Sequence, residues 1–235
     1  MTIAVGVLLA AAIAGGRVAG SPDHARHAGH GAAVADIRAP FGVLVVLAVT
    51  FSLGSIVYAA FSTALPKWLS DTLALDVRES AQLGLVVGAT LLAGSVGQLV
   101  GGRLADRLPF KWLYVGTFAL KFVPLALAGV IGGPAAVLAA AVIGFTFDMS
   151  APVENLLLAR YSSGRRRGLA FGMKFAMGFA ATPLGVNLVA WAYADDTAGS
   201  GVLFGILAVL TATMLCAALL LPREGAPEPR LAPAE

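Results

Sequence analysis

Charge is scarce in this sequence. Only 12% of its 235 residues are Asp, Glu, Lys or Arg, against about 25% in a soluble globular domain. That shortage excludes a soluble enzyme and a disordered tail. Cysteine is nearly missing: Cys216 stands alone, so no disulfide scaffold can form. Histidine is confined to His24, His27 and His30. There is no HExxH motif and no cysteine–histidine pair, and a hydrolase inside the membrane would lack a base beside its nucleophile. No enzyme and no cofactor is expected. The three histidines recur in a Gly/Ala-rich stretch with no cysteine and no span to hold them, so they read as a solvated linker and not as a metal site.

Apolar residues are what the chain has in abundance, at 58% with a mean hydropathy of +0.85. Uncharged runs cover 1–16, 39–66, 80–102, 122–147, 175–194 and 197–222. All but the first reach the roughly 20 residues that a bilayer-spanning helix needs. The expected spans are 41–65, closed by Pro66, then 82–102, 112–132, 134–158, 169–194 and 201–221, ended by Pro222. Helix is the only sensible assignment, because barrel strands show alternating segments of about 10 residues. Gly132-Gly133-Pro134 reads as a tight turn with Pro134 at a first helical position. Residues 1–16 would make only about 24 Å of helix against a hydrocarbon core of about 30 Å. They read as a marginal seventh span or as the tail of a truncated helix.

The formal charge of +3 is to be read by loop position and not as a sign of nucleic-acid binding. Segments 17–40, 103–111, 159–168 and 222–235 hold twelve of the 16 basic residues: Arg17, Arg26, Arg38, Arg103, Arg107, Lys111, Arg160, Arg165, Arg166, Arg167, Arg223 and Arg230. The opposite loops hold Lys67 and Arg78 among the acids Asp71, Asp76, Glu79, Asp195 and Asp196. The positive-inside bias puts the first group in the cytoplasm. The expectation is a multi-pass protein of the inner (plasma) membrane, with 17–40 a cytoplasmic linker, 41–221 the membrane domain and 222–235 a cytoplasmic tail.

The six spans divide at Gly133 into two groups of three, and an odd number of crossings inverts the second group relative to the first, a common plan in secondary transporters. Small residues recur in both middle spans. Gly84 and Gly88 are four apart, as are Gly97 and Gly101, and Gly168 and Gly172; Gly178 and Gly185 follow. Such spacing lets helix backbones approach closely.

Gly102-Arg103-Leu104-Ala105-Asp106-Arg107-Leu108-Pro109-Phe110-Lys111 resembles the loop signature of the major facilitator superfamily, G-x-L-A-D-R-x-G-x-R/K. It falls between the second and third spans, where that signature belongs, with Pro109 in place of a glycine. The stretch Pro152-Val153-Glu154-Asn155 to Arg160-Tyr161, followed by Arg166-Arg167-Gly168-Leu169-Ala170-Phe171-Gly172, looks like the connection between the tenth and eleventh helices of such carriers. The resemblance covers about 41–221. It implies an all-α fold, the carboxyl-terminal six-helix half of a carrier, with 1–16 a remnant of the preceding helix. It also implies a small-molecule substrate, a setting of membrane lipid, and a second six-helix half, supplied by another chain or a second copy. Asp106, Arg107 and Lys111, with Gly102, would by this resemblance lock an inner gate. Glu154, placed near the same surface, would accept from Arg107 or Lys111. An ordinary hydrated loop is the competing account.

Besides Glu154, near the end of its span, three charges sit within the spans. Asp148 lies fourteen positions past Pro134, about 21 Å along its helix. Lys174 has a matching depth on the next helix, so Asp148–Lys174 is a plausible ion pair, and Lys121 is the other possible partner. A charge at such depth carries a functional presumption. These three are the proton or substrate candidates, although Lys121 falls on a helix that is peripheral in the resembled fold. Thr50, Ser52, Ser55, Tyr58, Ser62 and Thr63 make the first span rich in hydroxyls, with Thr50, Ser55 and Tyr58 the candidates for a cavity lining. The competing account has hydroxyls bonding their own helix carbonyls. Pro124, Pro152 and Pro183 are expected to kink their helices. The function these observations imply is proton-coupled transport of a small solute by alternating access. The alternative is a non-transporting interaction subunit or an inactive fragment that needs a second half.

Overall fold

The computed structural model describes residues 41–73, 80–162, 167–194 and 199–222. They form α1 (Phe41–Leu73), α2 (Ser80–Ala105), α3 (Phe110–Leu127), α4 (Pro134–Tyr161), α5 (Arg167–Ala192) and α6 (Gly199–Leu219). All six are long and apolar enough to cross a bilayer, and the described residues contain no strand. The chain is an all-α, multi-pass membrane protein. The short apolar stretch 1–16, the linker with its three histidines, and the tail lie outside the described residues.

Contacts at the helix ends fix the relative directions. Gly133, just before α4, donates its N–H to the carbonyl of Thr72 near the end of α1, at 3.1 Å. Lys111 at the start of α3 donates to the Leu219 carbonyl at the end of α6, at 2.8 Å. Helices α1 and α4 therefore run in opposite directions, as do α3 and α6. The pairings obey the same symmetry. The two most extensive, α2 with α4 and α1 with α5, exchange when α1–α3 is mapped onto α4–α6, and α3·α4 exchanges with α1·α6. The bundle is two inverted three-helix repeats.

Lipid gives helices no hydrophobic reason to associate, so close packing has to hold them together. Glycine provides it in both major pairings. A Cβ at Gly97 or Gly101 would overlap the backbone carbonyls of Phe145 and Met149 on α4. One at Gly185 on α5 would come within 2.9 Å of the Ala59 Cβ on α1. Gly84, Gly88, Gly168 and Gly172 face open space, so of the four-residue glycine spacings only Gly97–Gly101 is a packing seam. Aromatic side chains fill the interior: Trp68 against Phe204, with ring centroids 4.6 Å apart, and Tyr114 against Phe118 at 4.5 Å.

Most helix boundaries differ from expectation by two residues or more, and three of the differences have a visible cause or consequence. Pro66 does not close the first span, and α1 runs on to Leu73. A proline inside a helix costs about 3 kcal/mol, which tertiary contacts offset here. Trp68 and Leu69 are wholly buried, Lys67 pairs with Asp71 at 3.1 Å, and Gly133 caps the Thr72 carbonyl. Helix α3 ends at Leu127 and not at Gly132, because Val130 and Ile131 both turn back to the Leu127 carbonyl, at 3.0 and 3.1 Å. Gly133 then takes φ 59°, a left-handed conformation that suits glycine, and Pro134 opens α4 as expected. Helix α4 continues three residues beyond the expected 158, to Tyr161.

A charged cavity between the repeats

Helices α1, α4 and α5 line an open cavity of about 450 Å³, with Lys121 from α3 and Met214 from α6 also reaching its wall. Helical periodicity aims the lining. On α1 the lining residues are Phe51, Gly54, Ser55 and Tyr58; on α4 they include Phe147, Ser150, Ala151 and Glu154; on α5 they include Lys174, Gly178 and Thr182. Each set recurs at three- and four-residue steps. Asp148 flanks the α4 stripe and lines the cavity too. The expected lining residues Ser55 and Tyr58 are there. Thr50 is not: it is fully buried, donates to the Val46 and Leu47 carbonyls at 3.0 Å, and accepts from the Tyr114 hydroxyl at 2.9 Å.

The buried acid at the centre of the polar network is Glu154. Lys174 pairs with it at 3.4 Å and donates to the Asn155 side-chain oxygen at 2.7 Å. The Tyr114 hydroxyl lies 3.4 Å from the other Glu154 oxygen. Thr50, Tyr114, Glu154 and Lys174 thus join α1, α3, α4 and α5, two helices from each repeat. This corrects two expectations. Lys174 pairs with Glu154 and not with Asp148, and Glu154 does not turn to Arg107 or Lys111. Helix length is the reason. Glu154 lies seven residues before Tyr161 and Lys174 seven after Arg167, so both are about 10 Å in from the α4–α5 connection. Asp148 is six residues, or about 9 Å, deeper.

Asp148 instead rests against α2. A Cβ on Gly94 would overlap its carboxylate, so that glycine makes the notch in which the acid sits. Lys121 is 1% exposed. Its place is set by the inward stripe of α3, where Lys111, Tyr114, Phe118, Lys121 and Leu125 are all buried. Helix α3 packs on α4 and α6, yet the Lys121 side chain crosses to the cavity, its ammonium 3.7 Å from the centroid of the Phe147 ring. It also feels the fields of Glu154 and Asp148.

At the other end of the network, the 102–111 loop closes tightly despite its proline. Leu108 donates to the Leu104 carbonyl at 2.8 Å. Pro109 adopts φ −58° ahead of α3, a value proline favours, so no glycine is needed there. Asp106 and Arg107 are exposed in this turn, and Gly102 is half-buried one helical turn earlier. Lys111 leaves the loop cluster altogether. Its ammonium donates to the Leu219 and Leu221 carbonyls, neutralising carbonyls that α6 cannot satisfy within itself. The sequence reading missed Tyr114. Its signal was the 114–118–121–125 spacing, which marks the inward face of α3.

Two inverted three-helix repeats around a charged cavity inside the membrane define a class of helical membrane protein. Comparison with known families matches residues 47–235 to the Major Facilitator Superfamily, and the chain belongs to that superfamily. It is similar to the fosmidomycin resistance protein of Escherichia coli (strain K12), with 31% identity over 191 residues. The match takes in 80% of this chain and 45% of that protein, so the chain spans a little under half the length of that relative.

Proposed function

We propose that the chain moves a small solute across the cytoplasmic membrane by alternating access, coupled to protons, as the carboxyl-terminal half of a superfamily carrier. The observation that carries this reading is the convergence of Lys121, Asp148, Glu154 and Lys174 on one cavity within the spans. An intramembrane charge costs at least about 2.5–3.5 kcal/mol on insertion scales, and helix packing alone does not require four of them to face the same space. The name of the Escherichia coli relative supports a small-molecule cargo.

In this reading the end carrying Arg103, Arg107, Arg160 and Arg167 is cytoplasmic, and Gly102, Asp106 and Arg107 form part of an inner gate. A second six-helix half, from another chain or a second copy, supplies the opposing wall. The exposed apolar side chains of α2 and α5, among them Leu85, Leu92 and Phe179, meet that half or lipid. Asp148 carries the proton. Protonation removes a negative charge from the cavity and so biases an equilibrium between two helix arrangements.

The test is uptake by the purified chain in proteoliposomes under an imposed pH gradient, with fosmidomycin as the first solute. Asp148→Asn is expected to abolish accumulation while leaving solute exchange across the membrane. Unchanged pH-driven accumulation in that variant would remove the proton role from Asp148.

A further inference from the structure

Among the described residues, Lys121 is the cavity cation with unspent bonding capacity. An ammonium has three N–H donors, and buried polar groups are nearly always bonded. Lys121 is 1% exposed and makes no hydrogen bond or ion pair among the described residues. Its close contact is the face of Phe147, at 3.7 Å. The other cation is provided for: Lys174 pairs with Glu154 and donates to the Asn155 side-chain oxygen. The Asp148 carboxylate, beside Gly94 on the α2 side, has no such partner among the described residues but is only half-buried, so water can reach it. The surrounding wall is aromatic, with Phe51, Tyr58, Phe147, Phe175 and Phe179. About 450 Å³ falls within the usual range of small-molecule sites.

Resting on the transport reading above, we propose that Lys121 is the specificity-determining cation of the cavity and that the solute is a small organic anion. Its acidic group accepts hydrogen bonds from the Lys121 ammonium, and its apolar body lies among the aromatic side chains. The anion supplies what the fold withholds from Lys121, an acceptor at hydrogen-bond distance, and bonds between charged partners are the strong ones. A peripheral helix thereby contributes a binding residue, because the ammonium reaches past its own helix to the α4 wall.

The test is equilibrium binding to the purified full chain in detergent, using three probes built on one ring. Benzenesulfonate is a fixed anion, benzyltrimethylammonium a fixed cation and benzyl alcohol is neutral, and the charge of each is constant between about pH 5 and 8. Benzenesulfonate should bind about tenfold to a hundredfold more tightly than the alcohol, and the cation no better than the alcohol. Lys121→Gln should erase the preference, and Lys121→Arg should keep most of it. The wild-type comparison needs no variant to fold. Preference for the cation, equal affinities, no binding of any probe, or an anion preference that survives Lys121→Gln would each overturn the proposal. Binding as expected in a chain that transports nothing would sink the transport reading and leave the site standing.

Discussion

Glu154 and Lys174 are a largely buried pair whose value lies in mutual compensation. Their side chains are 15% and 14% exposed, so water does little to screen either charge. Removing one partner of a buried pair strands the other, typically at about 3–5 kcal/mol, whereas removing both costs much less. Lys174→Met should therefore lower the thermal unfolding temperature in detergent more than the double variant Glu154→Gln/Lys174→Met. Tyr114 cannot rescue the single variant, since its one hydroxyl proton is closer to Thr50, at 2.9 Å, than to Glu154, at 3.4 Å. A double variant less stable than the single would mean that the two charges do not compensate each other. The sequence reading gave Lys174 the depth of Asp148 and put Glu154 near the surface of the 102–111 loop, so it matched Lys174 to the wrong acid. Depth along α4 was counted from Pro134 against a core of about 30 Å, but the helix runs 28 residues to Tyr161, so Asp148 lies farther from the α4–α5 connection than that count implied.

Helices α2 and α4 meet along glycine, and the seam sets how close Asp148 comes to α2. Gly97→Ala would drive a methyl group into the Phe145 carbonyl, an overpacking that costs about 1–3 kcal/mol. Gly88 has open space around it, and alanine there gains up to about 1 kcal/mol of helix propensity. Thermal unfolding in detergent should show Gly97→Ala destabilised and Gly88→Ala neutral or stabilised; equal effects would mean that α2 and α4 are not in close backbone contact. At this scale the sequence was informative about existence and less so about limits. Hydropathy located all six helices, because the bilayer demands long apolar runs. It missed the passage of α1 through Pro66, because the compensating contacts of Trp68 with Phe204 come from a helix more than a hundred residues away. The GxxxG spacings looked alike in sequence, yet only one of the three is a seam. Spacing says that two glycines share a face, and only the fold says whether a neighbouring helix covers it. The same limit applied to Thr50, whose hydroxyl bonds its own helix and Tyr114 and does not line the cavity.

For the molecule as a whole, the inverted repeats put the cavity on a face made by α1, α4 and α5, with rim residues such as Phe179 still 75% exposed. Alternating access requires this face to be covered from the far side, since a site open to lipid or to both aqueous phases at once cannot hold a gradient. The aromatic rim fits a surface that closes against another helix bundle. If a second copy supplies the wall, the protein part of the particle in lipid nanodiscs should weigh about twice the 23.8 kDa of the chain, and the same sample should accumulate solute. A single-chain mass with uptake appearing only when a separate six-helix half is added would assign the wall to another chain. Accumulation by particles containing one chain would contradict the requirement for an opposing wall. A stable pair that moves no solute would favour the interaction subunit over the carrier. The mass and the uptake need to be read on one preparation, because only their combination separates a carrier assembled from two halves from a half that binds a partner and transports nothing.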